Sequence, residues 1–196
     1  MITAILALLA FALMACVCGC SSTQPAAQPD PHAAYRAALA RTAPADTEAA
    51  PLTPEQERAA LARFNEFYSV YSVESIKAGV RGVYAENAYF GDPFDSVSGI
   101  DEIEEYFVRM AEPVKTCTFD VEAVDRAGAE YWIRWTMNLE VNAAKGKPFS
   151  ALGVSHVRFD DEGKVLFQQD YWDSSALLDR LPVVGFFTRK VKKRLE

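Results

Sequence analysis

Histidine is scarce in this chain, at 2 in 196 residues, and no cluster of histidine, cysteine and carboxylate has the spacing of a metal site. Nor is there a glycine-rich phosphate loop, or the Gly-x-Ser-x-Gly turn that presents a nucleophilic serine. No metal and no cofactor is therefore expected. Positive charge is short as well. The net charge is −7, with no broad basic surface to neutralise phosphates, which argues against a general nucleic-acid binder. The deficit is uneven: from Arg180 to Glu196 six basic residues face one acid, a net of +5, so the rest of the chain carries −12. An acidic body ends in a basic tail.

Charge is missing altogether from the first twenty residues, MITAILALLAFALMACVCGC. The run reads as a secretory hydrophobic region rather than part of the fold, although the customary Lys or Arg near its start is absent too. Cys16, Cys18 and Cys20 close it. Their clustering resembles a bacterial lipobox, in which a small residue precedes a cysteine that is lipidated and becomes the new amino terminus. Two registers fit, LMAC ending at Cys16 and VCGC ending at Cys20. The second is preferred, and Ser21-Ser22 and a polar tether follow it. The alternative is an uncleaved membrane anchor, since the apolar run approaches the length of a spanning helix. Cleavage at Cys20 leaves Cys117 as the only other cysteine, so no intramolecular disulfide framework exists. Residues 21–50 are rich in Ala and Pro and poor in large apolar side chains, and read as a flexible tether. Within it HAAYRAALA has the makings of a short helix, with His32 in solvent.

Apolar patterning begins near residue 51. Thr53 is placed as an N-cap, Pro54 as the first helical residue and Gln56 as the far side of a capping box. Leu61, Phe64, Phe67, Tyr68 and Tyr71 then recur three and four apart, one face of an amphipathic helix. A second helix is predicted over about Val73 to Ala85, with Ile76, Val80, Val83 and Tyr84 inward, then a strand NAYF and a third helix from Ile100 to Met110. After Glu112 the period changes to two. TCTFDVEAV, EYWIRWTMNLEV, FSALGVSHVRF and KVLFQQDYWD read as four strands separated by turn signals. Helices first and an antiparallel meander second predict an α+β domain over 51–175. Residues 176–196 are expected to form a basic amphipathic helix, with Val183, Val184, Phe186, Phe187, Val191 and Leu195 on its apolar side. That side either packs on the domain, the preferred reading, or touches an anionic membrane surface.

The stretch YAENAYFGDPFDSVSG, residues 84–99, sets Asp92 before a proline at the mouth of the predicted core. Asp92 is thus either a turn carboxylate capping loop amides or the working group of a pocket. Over Glu57 to Asp173 the chain resembles the SnoaL-like and ketosteroid-isomerase-like branch of the nuclear transport factor 2-like superfamily. The resemblance implies a cone: a curved, mainly antiparallel sheet wrapped around three N-terminal helices, with a pocket inside. In ketosteroid isomerases the general base is an Asp directly before this proline, the place held here by Asp92. A first-helix Tyr donates to the oxyanion, the place held by Tyr68. The second donor, a protonated Asp on the penultimate strand, is replaced by Ser155, a shorter and less acidic donor. Gln168, Asp170 and Trp172 share one face of the last strand, and the resemblance turns that face into the pocket. SnoaL-like cyclases are understood to carry a catalytic Asp there, which makes Asp170 a second acid or base; its other reading is an ion pair with Arg134 or Arg158. His156 alternates away to the outer face.

Two functions are carried forward. One is a lipid-anchored module of the bacterial cell envelope, facing the periplasm, whose pocket binds a small, mainly apolar molecule. Phe64, Tyr68, Trp135 and Trp172 would line it, and Asp92, Ser155, Gln168 and Asp170 would orient the ligand. The other is a cofactor-independent acid–base enzyme (isomerase, cyclase or hydrolase) using Asp92 with Tyr68 and Asp170. Expected partners are the small molecule, the membrane and a second copy paired through the outer sheet face, and not nucleic acid.

Overall fold

The structure, a computed structural model, describes residues 30–44, 52–142, 148–179 and 184–194. The expected leader with Cys16 and Cys20, and much of the expected tether, lie outside the described residues. The chain forms two units, Met1–Ala33 and Ala34–Glu196, and the second carries the domain.

Helix α1 spans Ala33–Arg41, α2 Pro54–Ser69, α3 Val73–Val83 and α4 Ile100–Ala111. The α2 capping box forms as the sequence dictates. Thr53 Oγ1 accepts the Gln56 amide at 3.3 Å, and Gln56 Oε1 accepts the Thr53 amide at 3.0 Å. Such a cap contributes about 1 kcal/mol. Ser72 and Ser75 build a second box at the start of α3, which the periodicity did not announce. α3 ends two residues before Ala85, because Tyr84 already starts strand β1 (Tyr84–Gly91). Tyr84 and Ala85 are both buried, and a short apolar run buried on both faces has the same signature in a helix as in a strand.

The remaining strands are β2 (Ser96–Ser98), β3 (Val114–Ala127), β4 (Glu130–Val141), β5 (Phe149–Phe159) and β6 (Val165–Trp172). The sheet order is β2-β1-β6-β5-β4-β3, and only β1 and β6 run parallel. Register shifts at Val121/Ala123 and Arg158/Phe159 mark bulges, which bend strands and increase twist. The result is the expected α+β architecture, a curved open sheet with α2, α3 and α4 against its concave face.

Part of the expected tether belongs to the domain. On the outer sheet face, Ala38 of α1 is buried beside Tyr89 and Phe167, with Tyr35 and Leu39 packed around them. Arg158 secures the helix, its Nη1 donating to Leu39 O at 2.7 Å and to Thr42 Oγ1 at 2.9 Å. The other edge of the same guanidinium clamps Glu130 at 2.7–2.9 Å, so Arg158 is not the partner of Asp170. His156 lies on this face as expected, stacked on Trp132 and bonded to Glu130 through Nε2 at 2.5 Å.

The tail departs from the preferred reading. It forms α5 (Ser175–Leu178) and α6 (Val184–Lys192). Thr188 and Lys192, one turn apart, both bond to Asp179, Lys192 Nζ at 2.6 Å. The polar side of α6 is therefore turned toward α5, and Phe186, Phe187 and Val191 are left 58–61% exposed rather than packed on the domain.

Candidate functional site

Between α2, α4 and the concave sheet lies a cavity of about 620 Å³ including its open mouth, of which about 90 Å³ admits the centre of a water molecule. Its walls are largely aromatic. Room for them depends on one glycine. Gly153 stands opposite Trp135 on β4 and opposite Trp172 on β6, and a Cβ there would lie 2.2 Å from the Trp135 ring. Trp135 is fixed on its other side by Phe119, with ring centroids 5.1 Å apart. At the rim Trp172 meets Phe94 edge-on at 5.6 Å.

Asp92 combines both of its alternatives. One oxygen caps the loop: Oδ1 accepts the amides of Phe94 at 2.8 Å and Asp95 at 3.1 Å, and the Tyr106 hydroxyl at 2.8 Å. The carboxyl also lines the cavity, and among the described residues no hydrogen bond reaches Oδ2. Partial burial raises its pKa above the ordinary carboxylate value, against the lowering effect of those three donors.

Asp170 is buried on the floor. Oδ1 accepts from Ser155 Oγ at 2.6 Å and from Gln168 Nε2 at 2.9 Å, and again no hydrogen bond from the described residues reaches Oδ2. Among the described residues it has no arginine partner. Burial pushes its pKa up to about 7, and the negative charge of Asp92 adds to the rise.

The hydroxyl protons can be counted. Tyr84 donates to Gln168 Oε1 at 2.7 Å, so the 2.5 Å contact between Tyr68 and Tyr84 uses the proton of Tyr68. Tyr71 donates to Phe107 O at 3.3 Å and Tyr106 to Asp92. Trp135 Nε1 donates to Ser155 Oγ at 2.8 Å, and Ser155 donates to Asp170. Every hydroxyl lining the cavity thus gives its proton to the protein. Burial pushes the Cys117 thiol up to about 12, which keeps it protonated and a weak donor. With Asp170 ionised, what the cavity offers is acceptors.

Of the residues singled out from sequence, Tyr68, Asp92, Trp135, Asp170 and Trp172 meet in this cavity. Phe64, Ser155 and Gln168 lie behind it, around a smaller void of about 10 Å³ that has room for about one water. Tyr106, Tyr84 and Gly153 were not singled out as site residues. Tyr106 lies on the third helix, for which the sequence suggests no site residue, Tyr84 falls in the expected second helix, and nothing in a strand pattern tells which ring crosses a glycine.

A family model for the SnoaL-like domain matches residues 64–167, more than half of the chain. No curated protein sequence matches. Among solved structures, a Catenulispora acidiphila protein of ketosteroid isomerase-like fold, in complex with trimethylamine, is 18% identical with a TM-score of 0.54, covering 66% of this chain and 95% of its own. A Jannaschia protein assigned as a SnoaL-like polyketide cyclase is 15% identical with a TM-score of 0.57, covering 67% and 96%. A Burkholderia pseudomallei protein described as NTF2-like and of unknown function is 14% identical with a TM-score of 0.55, covering 65% and 98%. At these identities the likeness establishes the fold.

Proposed function

The chain belongs to the SnoaL-like domain family, and from that premise we propose that its cavity binds a small, mainly apolar molecule whose polar end meets Asp92 and Asp170. The observation that carries the reading is one open acceptor oxygen on each of two carboxylates in an otherwise aromatic cavity. The three tryptophans supply a test with its own control. Trp135 and Trp172 line the cavity while Trp132 lies on the outer face. In an NMR titration with a panel of small aromatic and branched aliphatic molecules, the indole N–H resonances of Trp135 and Trp172 are expected to shift saturably while that of Trp132 stays in place. If no probe moves either cavity indole, the pocket reading fails.

One observation favours a second reading, acid–base catalysis. With a pKa pushed up to about 7, Asp170 exchanges its proton near neutrality, while Asp92 stands in the same cavity. The chemistry supported is proton transfer between carboxylates and a bound molecule. The protons of Tyr68 and Ser155 are committed to Tyr84 and Asp170, so the donor left for a developing enolate is protonated Asp170.

The domain is further proposed to be held at a bacterial envelope membrane by a lipid on Cys20 or Cys16, with α6 lying against the lipid surface. The uncharged leader ending in clustered cysteines supports the first part, and the exposed Phe186, Phe187 and Val191 beside Lys190 and Lys193 support the second. Radiolabelled palmitate is expected to enter the protein in a bacterial host and to be lost in the Cys16→Ala, Cys20→Ala double variant. Unlabelled wild type sinks the anchor. Equal liposome flotation of the unlipidated chain with and without residues 183–196 sinks the role of α6.

A further inference from the structure

The chemistry of the cavity selects among ligands that fit it. Its lining holds two carboxylates and, among the described residues, no lysine, arginine or histidine. Both carboxylates direct their protein hydrogen bonds to Oδ1. Asp170 is 8% exposed, so its unpartnered oxygen is a nearly desolvated acceptor. A ligand with its own acceptor finds no hydroxyl free to donate to it. A neutral apolar ligand covers the carboxylates and leaves them without water or a partner, which costs free energy. A neutral donor could bond one open oxygen, whereas a ligand that brings positive charge also compensates the buried negative charge and needs no donor from the protein.

The walls suit such a charge. Tyr68, Phe119, Trp135 and Trp172 present ring faces and edges around the space, and aromatic faces attract alkylammonium groups through the ring quadrupole. The space between these rings is limited, which favours a compact head group. An ammonium head needs no hydrogen-bond donor from the protein. Its charge lowers the pKa of both acids, offsetting the burial that raises them.

We propose that the cavity is a receptor for a small organic cation, a protonated or quaternary amine whose charge is seated by Asp92 and Asp170 and whose alkyl groups lie against the aromatic walls. The inference rests on the pocket reading above and narrows it to one ligand class.

The test uses a matched pair on the full chain at pH 8: choline, and dimethylbutanol, its uncharged isostere with carbon in place of the ammonium nitrogen. Affinities are read from the Trp135 and Trp172 indole resonances. Choline is expected to bind about tenfold more tightly or better, the scale of one desolvated cation–π contact with charge pairing. In Asp92→Asn and in Asp170→Asn the ratio of the two affinities should fall toward unity. Asparagine at 170 still accepts from Ser155 and Gln168, and Asp92→Asn gives an independent second variant. Equal affinities in the wild type, or a preference that survives both substitutions, overturn the cation inference and leave the pocket reading standing. If neither compound nor any probe of the earlier panel moves the cavity indoles, both are overturned.

Discussion

Asp170→Asn is expected to raise the thermal midpoint at pH 8 by roughly 8–16 °C and to leave it nearly unchanged at pH 4. The reason lies in the burial of one carboxyl. Its folded pKa is about 7 against an ordinary 3.8, raised first by desolvation and then by the charge of Asp92, despite hydrogen bonds from Ser155 and Gln168 that lower it. A raised acid pKa means that the folded chain holds the proton more tightly than the unfolded chain does. Between these two values the native state binds more protons than the unfolded one, so stability falls as pH rises, and above pH 7 the loss is complete. The interval corresponds to about 4 kcal/mol, and a domain of this size shifts by about 2–4 °C per kcal/mol. Asparagine matches the protonated acid in shape, keeps an acceptor for Ser155 and Gln168, and never ionises.

Thermal scans of wild type and variant from pH 4 to pH 8 check this directly. The two should coincide at the acid end and diverge upward. Parallel curves would mean that Asp170 is not held in a site hostile to its charge. Asp92→Asn should lower the pKa of Asp170, since the Asp92 charge is one of its raising causes. A residue whose removal stabilises the fold is kept at a cost in stability, as groups that act on ligands commonly are.

Gly153→Ala is expected to destabilise the protein by about 2–3 kcal/mol and to abolish binding in the cavity. Alanine normally suits a strand better than glycine does, so the sign comes from packing. The new methyl would lie 2.2–2.5 Å from three atoms of the Trp135 ring. That ring is buried, bonded to Ser155 through Nε1 and packed on Phe119, so it cannot swing aside without breaking those contacts. Displaced, it enters the ligand cavity that it lines. Trp135→Phe removes part of the clashing ring, so the double variant should be less destabilised than the sum of the two single changes by about 1–2 kcal/mol. Denaturant midpoints of the four proteins measure the coupling; strict additivity would place the strain elsewhere.

The elements that chain-local chemistry fixes were legible from residues alone. The Thr53–Gln56 box starts α2 because cap and partner lie three residues apart. β4 and β5 run over the residues their alternation indicates, Glu130–Val141 and Phe149–Phe159. The face of β6 that carries Gln168 and Asp170 follows from the same period of two, and so does the placing of His156 on the opposite side of the sheet. Asp92 before its proline was also visible, because a carboxylate at a turn is a local feature.

What alternation could not supply is who meets whom across the core. It put Asp170 on one face with Gln168 and Trp172, the family resemblance turned that face inward, and an arginine partner stayed open; Arg158 proves to face outward, holding Glu130 and α1. Residues 33–42 read as tether because alanine-rich sequence has no strong stripe. Their place in the domain comes from a guanidinium more than a hundred residues away. Tyr68 was legible as an inward tyrosine, but the destination of its proton depends on Tyr84 and Gln168, brought to it by a helix end and the last strand. Composition and period set which side chains leave water. Burial energy is indifferent to partner identity, whereas hydrogen-bond direction, the raised pKa values and the glycine under Trp135 depend on distances of a few ångströms between segments remote in sequence. Those distances exist only once the sheet has curved around its helices.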